Sequence, residues 1–208
     1  MLRCPDSTIV HTGYATFYTF ASGAGACMFD STPNDLMVGA MNGTDYQGSQ
    51  ICGACLSITG PQGTITIRTV DLCPDCSPGS IDLSPLAFSH IADTSLGRVP
   101  IRWHVIPCAV NGPIEYHFKL GSNQWWTAVQ IRNSLNPILR LEYLTAQHSY
   151  KQVNRTDYNY FVEPDGMGAG PYTFRVTDIY GHVLVDTGIV HMENQSVPGS
   201  AQFPSCNP

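Results

Sequence analysis

The feature that most constrains this chain is its cysteine set: eight in 208 residues, seven of them before residue 110 and only Cys206 in the second half. Cys52-Gly-Ala-Cys55 and Cys73-Pro-Asp-Cys76 together have the spacing of a four-cysteine zinc site. Against a metal stand four further cysteines able to pair with these, and a composition that suits an oxidising compartment. Disulfides are therefore expected ahead of zinc, with a zinc ribbon as the distant alternative. The uneven distribution also divides the chain. A length of 208 residues allows two domains of about 100 residues, each with its own core. Cys108 and the turn Asn111-Gly112-Pro113 mark the linker, which predicts domains over 1–110 and 111–208.

Charged residues make up only 12% while Gly (19) and Pro (15) are plentiful, the composition of short strands and many turns. The expected class is all-β. A net charge of -6 argues against nucleic acid, whose phosphates need a surplus of Lys and Arg. No apolar run approaches the roughly 18 residues of a membrane span. Met1-Leu2-Arg3-Cys4 opens no apolar signal core, so the expectation is the mature form of a secreted chain, working as a monomer. Sequons stand at Asn42, Asn154 and Asn194.

Tyr14 to Phe20 reads as a strand, and Leu56 to Thr59 with Thr64 to Val70 reads as a hairpin around Gly60-Pro61-Gln62-Gly63. The second hairpin strand is expected to deliver Asp71 into a loop over Leu72 to Ser80 that runs into Ile81-Asp82-Leu83. Ser84-Pro85 is a helix start, predicting a helix from Pro85 to about Ala92. Ile101 to Ile106 alternates as a strand. Beyond the linker, Ile114–Leu120, Trp125–Asn133, Ile138–Tyr143, Tyr172–Asp178 and Val183–Thr187 suggest a small sandwich.

Asp82 lies between two apolar residues that would raise its pKa and suit it to holding a proton, although an Asp just before a helix also reads as a plain capping residue. Asp71 carries the same ambiguity. The pair could flank a glycosidic bond only if the intervening loop folds back. Trp125-Trp126 offers flat rings for stacking on sugars, or for a core. Adjacent side chains of an ideal strand point to opposite faces, so both can be exposed only if the strand starts there, as the polar run Gly121-Ser122-Asn123-Gln124 permits. Tyr158 would extend the surface. The seven histidines are scattered and form no helical metal pair, and no nucleophilic-serine signature is present. No metal or cofactor is expected.

Gly13-Tyr14-Ala15-Thr16-Phe17-Tyr18, Gly25-Ala26-Cys27, Cys52-Gly53-Ala54-Cys55, Val70-Asp71-Leu72-Cys73-Pro74 and Ile81-Asp82-Leu83-Ser84-Pro85 resemble, in order, the signature blocks of expansins. Trp125-Trp126, Val129-Gln130-Ile131-Arg132-Asn133 and Asp157-Tyr158-Asn159 resemble the second domain of the bacterial members. The resemblance implies a six-stranded double-psi β-barrel related to family-45 glycoside hydrolases. It implies an immunoglobulin-like β-sandwich after it, of the family-63 carbohydrate-binding module type, and one elongated polysaccharide-binding face. It assigns wall loosening to Asp82, with Asp71, Thr16 and Tyr18 around it, and binding of cellulose and matrix polysaccharides to Trp125, Trp126, Tyr158 and Lys119. Where the hydrolases keep a general base, this chain offers Thr16 and Tyr18 and no carboxylate, so a non-hydrolytic action is expected, with a weak inverting endoglucanase as the alternative. The cysteine blocks resemble the plant-type first domain, which implies the pairs Cys27–Cys52, Cys55–Cys108 and Cys73–Cys76. Cys4 and Cys206 are then left for each other.

Overall fold

A computed structural model of the chain describes residues 9–19 and 21–205. It is almost entirely β and separates into two compact units that divide between Pro107 and Cys108. The division precedes the expected linker because Cys108 already donates its backbone N–H to Leu135 O, 2.8 Å away in the second unit. The junction expected after residue 110 therefore moves to Pro107. None of the described helices is long and apolar enough to cross a membrane.

The first unit holds strands β1 (His11–Phe17), β2 (Val38–Asn42), β3 (Cys55–Gly60), β4 (Gly63–Cys73), β5 (Ile81–Leu83) and β6 (Val99–Ile106). They close into a barrel in the order β1-β5-β2-β4-β3-β6. Ala15, Met41, Leu56, Ile58, Ile67, Ile81, Leu83, Ile101 and Trp103 fill its interior, and the alternate residues of each strand face outward. Two pairings, β1 with β5 and β2 with β4, are parallel. That non-local pairing explains the main local difference from expectation. Leu72 and Cys73 pair with Met41 and Asn42, so β4 runs on past Val70 and Asp71 lies in a strand rather than a loop.

Two short helices cap the barrel: α1 (Gly43–Tyr46) and α2 (Pro85–Ser89). Ser84 caps α2 by accepting from Ala87 N at 3.0 Å, while its hydroxyl donates to Leu36 O at 2.5 Å. Helix α2 stops at Ser89, short of Ala92. Asn42 caps α1 and donates to Ser80 O, and it is fully buried, so its sequon has no surface on which to carry a glycan.

The second unit holds β7 (Glu115–Phe118), β8 (Thr127–Arg132), β9 (Ile138–Leu144), β10 (Tyr150–Arg155), β11 (Phe161–Glu163), β12 (Tyr172–Asp178), β13 (Val183–Ile189) and β14 (Ser196–Pro198). They form one sheet in the order β13-β12-β9-β10-β11-β8-β7-β14, antiparallel throughout. The sheet folds over on itself. Tyr116 of β7 stacks on Phe174 of β12 with centroids 4.9 Å apart, and Phe118 meets Tyr172 at 5.8 Å, although these strands are remote in the sheet order. The two layers thus share one apolar core.

Cys27 is bonded to Cys52 and Cys73 to Cys76. Cys55 and Cys108 are also disulfide-bonded. The sulfurs of the two Cys-X-X-Cys pairs are therefore committed to covalent bonds, which removes the zinc-ribbon alternative. The Cys4–Cys206 pairing lies outside the described residues.

Candidate polysaccharide-binding sites

In the first unit, strand register builds a row of side chains on the outer barrel surface. Thr16 of β1 pairs with Asp82 of β5, Asp82 with Ala40 of β2, and Ala40 with Asp71 of β4. Three of the residues singled out in the sequence are thereby brought side by side. The two aspartates stand two strand spacings apart, about 10 Å between backbones, and only the methyl group of Ala40 projects between them. The loop between them does not have to fold back, because the inserted strand β2 sets their separation.

The two carboxyl groups differ in their partners. Asp71 Oδ1 accepts the backbone N–H groups of Ala26 at 2.6 Å and Leu72 at 2.8 Å. It anchors the loop that follows β1, and that loop approaches so closely that a Cβ on Gly25 would lie 2.4 Å from Asp71 Cγ. Only glycine fits there. Asp82 receives one hydrogen bond, from the Thr16 hydroxyl at 2.5 Å. Burial raises its pKa above the ordinary 3.8, the Thr16 bond pulls it down, and the nearby charge of Asp71 raises it again. Tyr18 is pushed up to about 12 by burial and by the charges of Asp71 and Asp82. Its hydroxyl is buried and has no hydrogen-bond partner among the described residues. The arrangement is thus an acid that keeps its proton to higher pH than usual, beside a phenol that stays protonated. The second carboxyl beside them, Asp71, has one oxygen taken up by two backbone N–H groups.

In the second unit, Phe118, Val129 and Phe161 form one buried row across β7, β8 and β11. Their sequence neighbours face the other way, which puts Lys119 and Tyr160 on the side away from that core; Lys119 is partly exposed, while Tyr160 is itself covered, at 3% exposure. Lys119 Nζ lies 5.9 Å from the centre of the Tyr160 ring, and Tyr158 lies 6.1 Å from it. Tyr160 was not singled out in the sequence, yet its ring joins Lys119 to Tyr158. The period-two spacing of Tyr158 and Tyr160 was the available signal. Trp125 occupies the turn that leads into β8. Asn123 Oδ1 accepts the N–H groups of both Trp125 (2.9 Å) and Trp126 (3.2 Å), and Asn123 forms an isolated bridge with Trp126. The strand proper starts only at Thr127, so neither tryptophan is forced into the core. Trp125 is 72% exposed and Trp126 half-buried.

Among the described residues no group of three or more His, Cys, Asp or Glu is placed to hold a metal ion. No protein-family model matches the sequence. Individual relatives do. The chain is 35% identical over 204 residues to expansin-YoaJ of Bacillus subtilis, covering 94% of this chain and 87% of that protein. It is 31% identical to expansin-like protein 1 of Dictyostelium discoideum, covering 88% of this chain and 68% of that one. Among solved structures, the apo expansin of Clavibacter michiganensis superposes with a TM-score of 0.87 at 32% identity, over 94% of this chain and 99% of that chain. An aspartate-to-asparagine mutant of the Clavibacter protein, solved in complex with cellohexaose, matches with the same TM-score at 31% identity. With its ordered blocks, its barrel and folded sheet, and relatives that match along nearly its whole length, the chain belongs to the expansin family.

Proposed function

We propose that this protein is secreted and loosens plant cell walls without hydrolysing them, by binding cellulose and matrix glucans and displacing contacts between wall polymers. The reading takes the barrel as the double-psi type and the folded sheet as an immunoglobulin-like carbohydrate-binding module. Trp125, Trp126 and Tyr158 form the stacking platform, with Lys119 beside it. Aromatic faces stack on the apolar faces of glucose rings while polar edges meet the hydroxyls. The Clavibacter relative crystallised with cellohexaose supports a β-glucan as the ligand class. Asp82 serves the loosening step, flanked by Thr16, Tyr18 and Asp71. Disulfides Cys55–Cys108 and Cys4–Cys206 complete the covalent frame in this reading, and contact between a microbe and a plant wall is the setting.

The observation that carries the non-hydrolytic reading is the inequality of the two carboxyls. Asp82 is poised as an acid, while one oxygen of Asp71 is saturated by two backbone N–H groups. An inverting glycosidase needs a carboxylate free to activate water on the opposite side of the bond. Stacking and hydrogen bonding to one glucan chain instead replace that chain's contacts with its neighbour. A paired assay on one wall specimen tests this directly: creep under load is expected with no release of reducing sugar. Sugar release in step with creep would favour the weak endoglucanase and overturn the proposal.

A further inference from the structure

A cleft of about 370 Å³ opens beside the platform in the second unit, lined among others by Asn123, Gln124, Trp125, Ala169, His191 and Glu193. Its size falls within the ~300–1,000 Å³ of small-molecule sites. From its lining we propose that it is a second carbohydrate subsite, taking a single neutral pyranose ring that leaves the plane of a glucan lying on the platform. The inference rests on the platform reading above and adds a ligand that reading does not need.

Continuity with the platform decides the occupant. Trp125 belongs to both surfaces, and at 72% exposure its indole is open to more than one neighbour. A flat crystalline glucan surface cannot enter a concavity, whereas a side-branch sugar or a free chain end can turn into it. The cleft has the mixed chemistry that a pyranose requires. Trp125 supplies a ring face, and exposed Leu120, Val190 and Met192 lie on the two chain segments that border it. Glu193 uses Oε1 to accept the Gly121 N–H at 2.6 Å, which ties the Trp125 turn to the segment before β14. Its other oxygen has no partner among the described residues and can take a pair of adjacent hydroxyls. His191 is held by an edge contact to Phe118, 4.8 Å between centroids, and by a 3.4 Å bond between Nε2 and the Ser122 hydroxyl. The Gln124 side chain is exposed at the rim. A carboxylate inside the cleft repels uronic acids, so the sugar is neutral.

Calorimetric titration of the full chain tests the subsite with two soluble probes: linear cellohexaose, and a xyloglucan oligosaccharide bearing neutral branch sugars. Retention on microcrystalline cellulose is measured in parallel. Ala169→Leu adds bulk to the lining of the cleft, and Glu193→Gln can still accept from the Gly121 N–H while removing the charge. Each is expected to weaken the soluble probe about tenfold, the scale of one charge-assisted hydrogen bond or a lost ring contact. Cellulose retention should stay at the parent level. Loss confined to the branched probe identifies the occupant as a branch, and loss on both probes identifies a chain end. Both results support the subsite. Parent-like affinity of both variants for both probes overturns it, as do equal losses on insoluble cellulose or a parent that binds neither probe. A glucuronate-bearing oligosaccharide that binds as tightly as the neutral one overturns the neutral-sugar assignment. The platform is judged separately: Trp126→Ala that still binds microcrystalline cellulose defeats the platform and leaves the cleft measurements standing.

Discussion

At the scale of single residues, the behaviour of Asp82 follows from its three causes. Because burial raises its pKa, the folded protein holds this proton more tightly than the unfolded chain does. Between the ordinary value of 3.8 and the raised one, the native state binds more protons than the unfolded state, so the site's contribution to stability falls as pH rises. If the protonated acid is the working form, creep should increase as pH falls through the same window. Asp82→Asn keeps the size and removes the ionisable proton, so it should abolish creep while leaving cellulose retention at the parent level. Creep by the Asn variant equal to the parent's would remove Asp82 from the mechanism. Thr16→Val is expected to shift the Asp82 titration, followed by carboxyl NMR, further upward, because it deletes the one hydrogen bond that lowers it. A downward shift would contradict the assignment of causes. From their neighbours alone Asp82 read as either a proton-holding acid or a plain capping residue, and Asp71 carried the same ambiguity. The contacts that tell them apart are distant in the chain: Thr16 for Asp82 and the backbone N–H of Ala26 for Asp71.

At the scale of elements, strands with one buried and one solvated face could be read, and the others could not. The alternation of β6 and of β12 announces itself, and Val183 begins β13 where the pattern starts. Strand β2, Val-Gly-Ala-Met-Asn, is buried at every position and so has no alternation to detect. Strand β10, Tyr-Lys-Gln-Val-Asn-Arg, buries only Val153 and reads as polar text. Strand β14 is three residues long and rests on β7 for its definition. Missing β2 had the largest consequence, since that strand separates Asp82 from Asp71 and prolongs β4. The turn before β8 was read from its polar run, but the device that opens it is a single atom, Asn123 Oδ1, shared by two tryptophan N–H groups. Local side-chain bonds of this kind hold a turn against competing conformations. Asn123→Ala is therefore expected to cost about fivefold in retention on cellulose, the equivalent of about 1 kcal/mol of lost preorganisation. Circular dichroism should show the same fold as the parent. Unchanged retention would mean that the rings find their positions without the turn.

At the scale of the whole molecule, the balance between stacking and charge decides what a wall offers to this protein. The chain carries ten Lys and Arg against sixteen Asp and Glu, a net charge of -6. In the second unit much of the positive charge is already paired: Arg175 grips Glu142 through two bonds of 2.7 and 2.5 Å, and Lys151 meets Glu163 at 2.8 Å. Lys119 is the cation associated with the proposed platform, and its ring contact at 5.9 Å is shared with Tyr160. On the proposed platform, binding to uncharged cellulose would rest on ring faces and hydroxyl hydrogen bonds, neither of which is strongly screened by salt. Acidic pectin meets a protein of its own sign, and that repulsion acts between exposed charges across a Debye length of about 10 Å at 0.1 M salt, shrinking to about 3 Å at 1 M. The two substrates should consequently respond to salt in opposite ways. Retention on microcrystalline cellulose is expected to change little between 0.01 and 1 M sodium chloride, by less than about twofold on the scale of surface electrostatics. Retention on pectin-rich wall should rise over the same range as the repulsion is screened. A depletion assay run in parallel on the two materials separates the contributions. Cellulose retention that collapses with salt would mean that charge pairing, not stacking, holds the glucan, and the platform would then have to be rebuilt around Lys119.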